Sequence, residues 1–496
     1  MSRNTELDES RNRNECMNVI LMLCSISVFF VVVVSVVRIS FPVDLWFWSE
    51  STILTNILKL KNGVPVFGPI ENVNSFVYSP ALEYINYAIL HNFDLELSVT
   101  ANRSLVFCYG IAAACMLSAS LQMATPKDMR FQEKMIAFCL IYLAVAQGMM
   151  ADVLHPDNLA LLAIATTFAI TLRAMRSGGF VLALGSVVIG ACSIWVKQTT
   201  GLLGIAAVIS LMYSQKFGVF EKAIFCIAGI MSTVFFIYTL LMIPYAKFYL
   251  YDLLLSQRMQ WEKLYDFRVD LIGSPFWMIV AATGLASFFV LRLEQEWVST
   301  YFVFFFLACA PGISAYLKSM GSINNLVSMQ VFFVVAAIPL VVALLRCAAR
   351  QTSGAVVVAI ALLTPLKTIP TEAMYKYASQ LESAVSNGGR NRRVLLAHGT
   401  VPLIKSGFTN VPLDRANSFL ELEVGGHAAE AGTRKRIESG YYDRIVLNNP
   451  WFGSEIVDVV RSRYKQVDSI PSVLHRSGFL RGLQGLFFVT TVYDRK

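Results

Sequence analysis

Long apolar blocks, separated by short polar stretches, make up most of this chain. A membrane-spanning helix needs about 20 mostly apolar residues. Runs near that length, some of them shorter, occur at 17–38, 102–124, 135–150, 157–173, 179–196, 200–215, 223–244, 275–292, 297–315, 325–345 and 353–368. The pattern predicts about eleven transmembrane helices. The stretch 39–101 departs from it. At about 100° per residue, Trp46, Phe47, Ile53, Leu54, Ile57 and Leu58 share one helical face, with Thr52, Thr55, Asn56 and Lys59 opposite. This predicts a helix lying at the membrane surface. Glu50 falls in the middle of the apolar stripe, where a carboxylate is costly without a partner or a task. The segment 80–93 is apolar but too short to span, so a second interfacial helix is expected there.

Beyond residue 370 the pattern changes again. RRVLLAHG, YDRIVLNNP and GLFFVTTVYDR read as short strands, and SEIVDVVRSRY as an amphipathic helix with a Ser N-cap. The expected fold class is an all-α polytopic membrane protein with a small α/β extracytoplasmic C-terminal domain.

Composition agrees. The chain is 56% hydrophobic and 15% charged, against roughly 25% charge in a soluble protein. The net charge of +8 therefore reports topology first. No Lys/Arg run with interleaved aromatics occurs, which sets nucleic-acid binding aside. The nine cysteines lie in or beside apolar segments, without metal-site spacing, and none follows Cys347. They read as buried apolar residues.

Basic residues orient the helices. Lys127, Arg130 and Lys134, then Arg173 and Arg176, Lys216 and Lys222, Arg292, and Arg346 with Arg350 all fall on one side if the N-terminus is cytoplasmic. The run from Met17 is too long for a signal peptide and is read as a retained first span. The expected organisation is a cytoplasmic tail 1–16, a transmembrane module 17–369 with an outer loop 39–101, and an extracytoplasmic region 370–496. The outer side also receives 151–156, 197–200, 245–274 and 316–324.

Polar groups on that side carry the candidate chemistry. Glu50 has Asp44 upstream. Asp157 follows Pro156 at a helix start, where it either stabilises the terminus or serves as a second acid facing Glu50. His155 stands beside it. Lys197 and Gln198 interrupt an apolar region; the lysine either snorkels or awaits a phosphate. Lys318 precedes Gly321 and Ser322, which would let backbone approach a phosphate or sugar. Arg258, Lys263 and Arg268 lie among Tyr249, Tyr251, Trp261 and Tyr265, which also fits an ordinary interfacial helix. Together these describe a cavity with carboxylates at its rim and cations nearby. It would suit a lipid-linked anionic donor whose sugar passes to a hydroxyl deprotonated by a carboxylate.

The order of parts resembles the GT-C superfamily of integral-membrane glycosyltransferases, in particular the bacterial branch related to protein O-mannosyltransferases and lipid A aminoarabinose transferases. The quoted elements are Ser49-Glu50 ahead of Gly63, the Phe76-x-Tyr78-x-Pro80 run, the basic loop, Asp157, the Lys197-Gln198 turn, and Lys318-x-x-Gly321-Ser322-x-x-Asn325. The resemblance spans most of 17–330. It implies a polyprenyl-phosphate-linked sugar donor, a glycan, lipid or protein acceptor, a hexosyl or pentosyl transfer with inversion, and an inner-membrane location. By this resemblance Glu50 and Asp157 are catalytic, and Lys197, Gln198, Lys318 and Arg258 bind donor phosphate. Asp44, Tyr78 and His155 line the substrate cavity. Where the family carries Asp this chain has Ser49, so the base is Glu50, as its place on the apolar stripe favours, or Asp44 substitutes for it, or the activity is lost. No metal is required; a divalent cation, which some superfamily members use, would have only Glu50, Asp152, His155 and Asp157 as ligands. The alternative function is a transporter or flippase of lipid-linked sugars. Inverted repeats and midplane-broken helices, which would favour it, are not evident. A membrane-anchored binding protein is a further alternative, for which about eleven spans are excessive.

Overall fold

The structure is a computed structural model. It describes residues 2–45, 50–72, 77–124, 128–147, 151–267, 275–318, 321, 323–346, 369–387, 392–396, 401, 432–448, 454–471 and 489–496. The span expected at 353–368 lies outside these residues, as do Trp46, Phe47, Ser49, Phe76, Lys127, Arg268, Ser322 and Arg350.

Among the described residues, six helices are long and apolar enough to cross a membrane: Met17–Ile39, Val99–Met123, Asp157–Ser177, Val219–Leu241, Gln295–Leu317 and Asn324–Arg346. The shorter apolar helices Phe180–Trp195, Gln198–Tyr213 and Ile279–Val290 fill out the bundle. Asp157–Ser177 and Asn324–Arg346 form its centre, where Phe168 meets Phe304 and Phe332 with ring centroids 5.3 and 5.6 Å apart. Met17–Ile39 and Val219–Leu241 lie at the periphery. Phe29 and Ile230 stay exposed there, as an apolar face toward lipid requires. Gln295–Leu317 is interrupted by a π turn at Phe305–Cys309. Pro311 lies two residues beyond that turn, and its missing backbone N–H leaves a preceding carbonyl without its helical donor.

The first six helices are labelled α1 (Ser2–Ile39), α2 (Glu50–Lys61), α3 (Ala81–Asn92), α4 (Val99–Ser120), α5 (Phe131–Gln147) and α6 (Asp157–Ser177). One end of the bundle is tied by Arg346, which pairs with Glu133 of α5 at 2.7 and 2.8 Å. The opposite end gathers the loop after α1, α2, α3, residues 151–156, the turn at Lys197, the loop after Leu317 and the C-terminal region.

The structure changes the expectation for α2. The helix forms, and Ile53, Leu54 and Ile57 pack with Leu82, Val106 and Leu159. The polar face is buried as well: Thr52, Thr55, Asn56 and Lys59 are no more than 3% exposed. Asn56 donates to Glu83 of α3 at 3.0 Å, and Lys59 to the Val66 carbonyl at 2.7 Å. The helix is enclosed within the protein, and polar partners compensate its hydrophilic side.

The C-terminal region holds a four-stranded sheet of β1 (Val394–Leu396), β2 (Arg444–Asn448), β3 (Tyr464–Ile470) and β4 (Thr490–Arg495) in the order β1-β2-β4-β3. β1 runs parallel to β2; the other pairs are antiparallel. Helices Glu372–Ser386, Gly432–Glu438 and Ser454–Arg463 accompany it. β3 was not among the expected strands. The apolar core of this region is continuous with the loop after α1. Phe41, Val43, Leu45 and Val153 pack with Met374, Tyr377, Leu381, Val394 and Val446.

Candidate functional site

Two knots of buried charge organise that end. The first centres on Glu50, whose side chain is 0% exposed. Arg103, in the first turns of α4, grips it from Nε at 2.7 Å and Nη2 at 2.8 Å. The remaining guanidinium donors go to the Phe41 and Val43 carbonyls at 2.6 and 2.7 Å, with a longer bond to Ile39. The backbone N–H groups of Leu45 and Leu154 donate to the two Glu50 oxygens. This carboxylate therefore joins α2, α4, the loop after α1 and the loop before α6. Nearby, Arg38 pairs with Asp152 at 2.8 Å, with both side chains buried. Asn158 secures the same loop through the Ala151 carbonyl at 3.0 Å.

Both Glu50 oxygens accept from an arginine and from backbone N–H groups, and among the described residues Glu50 is not one of those lining the cavity described below.

The second knot centres on Asp157. Lys197 Nζ lies 2.5 Å from Oδ1, and Asn324 donates to Oδ2 at 3.0 Å. His155 Nδ1 stands 3.0 Å from Oδ2, without the alignment of a hydrogen bond. Lys197 also donates to Asn325 at 3.1 Å and lies 5.7 Å above the Tyr78 ring. The His155 ring meets Tyr78 edge-on at 5.0 Å.

Lys197, Tyr78 and Asn325, which meet at this knot, also line a cavity of about 250 Å³. Tyr78, Lys197, Gln198 and Lys318 all line it, with Gln257 and Asn325. Four of the predicted residues, spread over 240 positions, thus converge on one space. The turn at Lys197 follows from the sequence: the preceding helix tightens into a 3-10 turn at Ser193–Trp195, and Lys197 adopts extended backbone. Gln198 anchors the mouth by donating to the Val77 carbonyl. Lys318 donates to the Leu254 carbonyl, and burial lowers its proton affinity below lysine's ordinary value.

Arg258 and Gly321 are placed differently. Arg258 is exposed and does not line the cavity. Its neighbour Gln257 does, because adjacent residues on extended backbone face opposite ways. Gly321 was expected to let backbone approach a ligand. It does line the cavity, and a Cβ there would stand 2.1 Å from the Ala315 carbonyl oxygen. Its loop is clasped by Lys263, which donates to the Lys318 and Gly321 carbonyls at 2.6 and 2.9 Å.

Among the described residues no three His, Cys, Asp or Glu side chains gather as a metal site. Glu50 and Asp152 are each paired to an arginine, so the four ligands anticipated for a divalent cation do not converge. Sequence reasoning missed Arg103, Gln257 and Asn324. An arginine at the mouth of an apolar span was the available signal for the first.

The fold these elements make is shared with solved structures. Two structures of ArnT from Cupriavidus metallidurans, one bound to undecaprenyl phosphate and one apo, superpose with TM-scores of 0.56 and 0.53. They are 12% and 13% identical in sequence, and each alignment covers 94% of this chain and 97% of that one. At such identity the likeness is one of fold. No family model matches the sequence, and comparison with curated proteins yields no match.

Proposed function

We propose that this protein is a membrane glycosyltransferase that moves a sugar, a hexose or a pentose, from a polyprenyl phosphate to a glycan, lipid or protein acceptor. The observation that carries the reading is the convergence of Tyr78, Lys197, Gln198 and Lys318 on one cavity, in a fold whose solved neighbour holds undecaprenyl phosphate. The prenyl chain would lie against the bundle in lipid. Its phosphate would enter beside Lys197 and Lys318, two compact cations suited to a phosphate as point charges. Asp157 would keep Lys197 aimed between Tyr78 and Asn325 until the donor arrives. The cavity end would face outward from an inner membrane, with 1–16 in the cytoplasm, 17–369 forming the catalytic module and 370–496 outside.

The test is made in membrane vesicles from a deletion strain complemented with the gene, which hold both donor and acceptor. We expect a mass increase on an envelope glycan, lost in Lys197→Ala, Lys318→Ala double-variant vesicles. Movement of labelled lipid-linked sugar across the bilayer with no covalent product would replace this reading with transport.

A further inference from the structure

The buried acids at the Lys197 end of the bundle are bound into its framework. Glu50 and Asp152 meet arginines, and Asp157 meets Lys197. Asp44 accepts from the Ser51 N–H at 2.9 Å and from the Ser51 hydroxyl, and it is not among the residues lining the Lys197 cavity. A carboxylate of another kind lines a second cavity, of about 330 Å³, in the C-terminal region. Small-molecule pockets begin at about 300 Å³. This one lies between the end of Glu372–Ser386 and strands β2, β3 and β4. Its shape has two local causes. Arg444 donates to the Ala384 and Asn387 carbonyls and grips Asp494, which ties the helix end to the sheet. Strand β3 carries a bulge: Gln466 pairs with Tyr493 and Asp468 with Val492, so Val467 is the extra residue. Consecutive side chains on a regular strand face opposite ways. The bulge breaks that alternation, and Val467, Asp468 and Ser469 all line the same cavity.

We infer that this cavity binds a neutral sugar residue, and that the residue belongs to the acceptor; the second part rests on the glycosyltransferase reading. The lining offers the amides of Gln380 and Asn387, the hydroxyls of Ser383 and Ser469, and the Asp468 carboxylate. All five residues are exposed. Amides and hydroxyls both donate and accept, and a carboxylate can accept from two neighbouring hydroxyls. The buried side chains of Ile470 and Val492 give the cavity an apolar base for the C–H face of a sugar ring. An anion suits it poorly. It would meet Asp468, while the Arg444 guanidinium is already committed to Asp494 and two carbonyls. The helix also links this cavity to the bundle. Gln380, Ser383, Ala384 and Asn387 recur at helical spacing toward the cavity. Met374, Tyr377 and Leu381, on another face, pack with Phe41, Val43 and Leu45 of the loop after α1. A glycan held here by one unit would keep its other units near the bundle, which raises their effective concentration at the transfer cavity. The acceptor is then a glycan of more than one unit.

The test is saturation-transfer NMR on the purified full chain, in a detergent without a sugar headgroup. The probes are the methyl glycosides of glucose, galactose, mannose and arabinose. At least one should receive saturation from the wild-type chain. Asp468→Ala removes hydrogen bonds to a charged group and should weaken that binding by about 10–100-fold. Ser383→Trp fills the cavity from an exposed helix position and should abolish it. In the vesicle assay both variants should transfer less sugar while still binding undecaprenyl phosphate. If Asp468→Ala fails to fold, Ser383→Trp decides. No saturation of any glycoside, or equal saturation in both variants, overturns the sugar site and leaves the enzyme standing. Glycoside binding lost with transfer unchanged overturns the assignment to the acceptor. Glycoside binding through Asp468 by a chain that transfers no sugar supports the site and overturns the glycosyltransferase reading instead.

Discussion

Glu50 and Asp157 are both buried acids at the same end of the bundle, each paired with a cation, yet their surroundings differ in kind. Glu50 is met by one arginine and two backbone N–H groups, and the arginine's other donors are spent on backbone carbonyls. Nothing there moves without the loops moving. Asp157 is met only by side chains, Lys197, Asn324 and His155, of which Lys197 also lines the cavity. Those partners can turn toward a ligand at the cost of a rotamer. The two acids thus differ in what holds them, backbone and arginine at Glu50 and side chains alone at Asp157.

The largest effect should come from breaking the first knot. Arg103→Met leaves Glu50 buried and uncompensated, and such a loss costs about 3–5 kcal/mol. Little folded protein should be recovered by size-exclusion chromatography in detergent. Glu50→Gln combined with Arg103→Met removes both charges and should restore part of that yield. If Arg103→Met is as stable as wild type and merely inactive, the contrast between the knots is wrong.

Breaking the second knot should weaken ligand binding, with a cost to stability as well because Asp157 is left buried beside Asn324 and His155. Lys197→Ala removes a charge-assisted contact worth about 1.5–3 kcal/mol, so undecaprenyl phosphate should bind about 10–100-fold more weakly. Thermal unfolding should shift less than in Arg103→Met, since Asn324 and His155 remain against Asp157. Unchanged affinity would take Lys197 out of the donor site.

Lys318 gives a smaller, pH-dependent effect. Burial lowers the proton affinity of its ammonium, and the charged form is the one that holds phosphate. Binding should therefore decline as pH rises, and do so below the pH at which an ordinary lysine loses its charge. Lys318→Arg keeps its charge and should flatten that decline by less than tenfold. A decline that persists in Lys318→Arg would belong to another group.

Which of these features could be read along the chain follows from how local each one is. Lys197 and Gln198 interrupt an apolar block, so their neighbours in sequence already marked them. The start of α6 at Asp157 was legible from Pro156 in the same way. Arg103 escaped because its importance comes from Glu50, 53 residues away, a distance that periodicity does not bridge. The polar face of α2 was read as solvated because Glu83 and Val66, which satisfy it, belong to later segments. β3 escaped because Tyr464 ends a convincing helical pattern, and its strand character comes from pairing with β4. Its side chains from Lys465 to Ser469 are exposed, so no alternation of buried and exposed positions marked it.

The smallest effect lies in the C-terminal region and extends the comparison to a third pair. Arg444 grips Asp494 through Nε and Nη2 at 2.6 and 2.7 Å, the same two-pronged geometry as Arg103 on Glu50. It also donates to the Ala384 and Asn387 carbonyls at the end of Glu372–Ser386. The Arg444 hydrogen bond lowers the Asp494 carboxyl below its ordinary range, against a smaller opposing effect of burial. The folded value therefore lies below the unfolded one. The stability this gives is present above the unfolded pKa and is lost as pH falls through the folded value. Asp494 keeps part of its side chain in water, so screening should hold the contribution under about 1 kcal/mol. Asp494→Asn should lower the thermal midpoint slightly at neutral pH and not at all in strong acid, where the wild-type carboxyl is protonated too. A loss as large as that of Arg103→Met would mean that geometry, rather than enclosure, sets the worth of an arginine–carboxylate pair in this molecule.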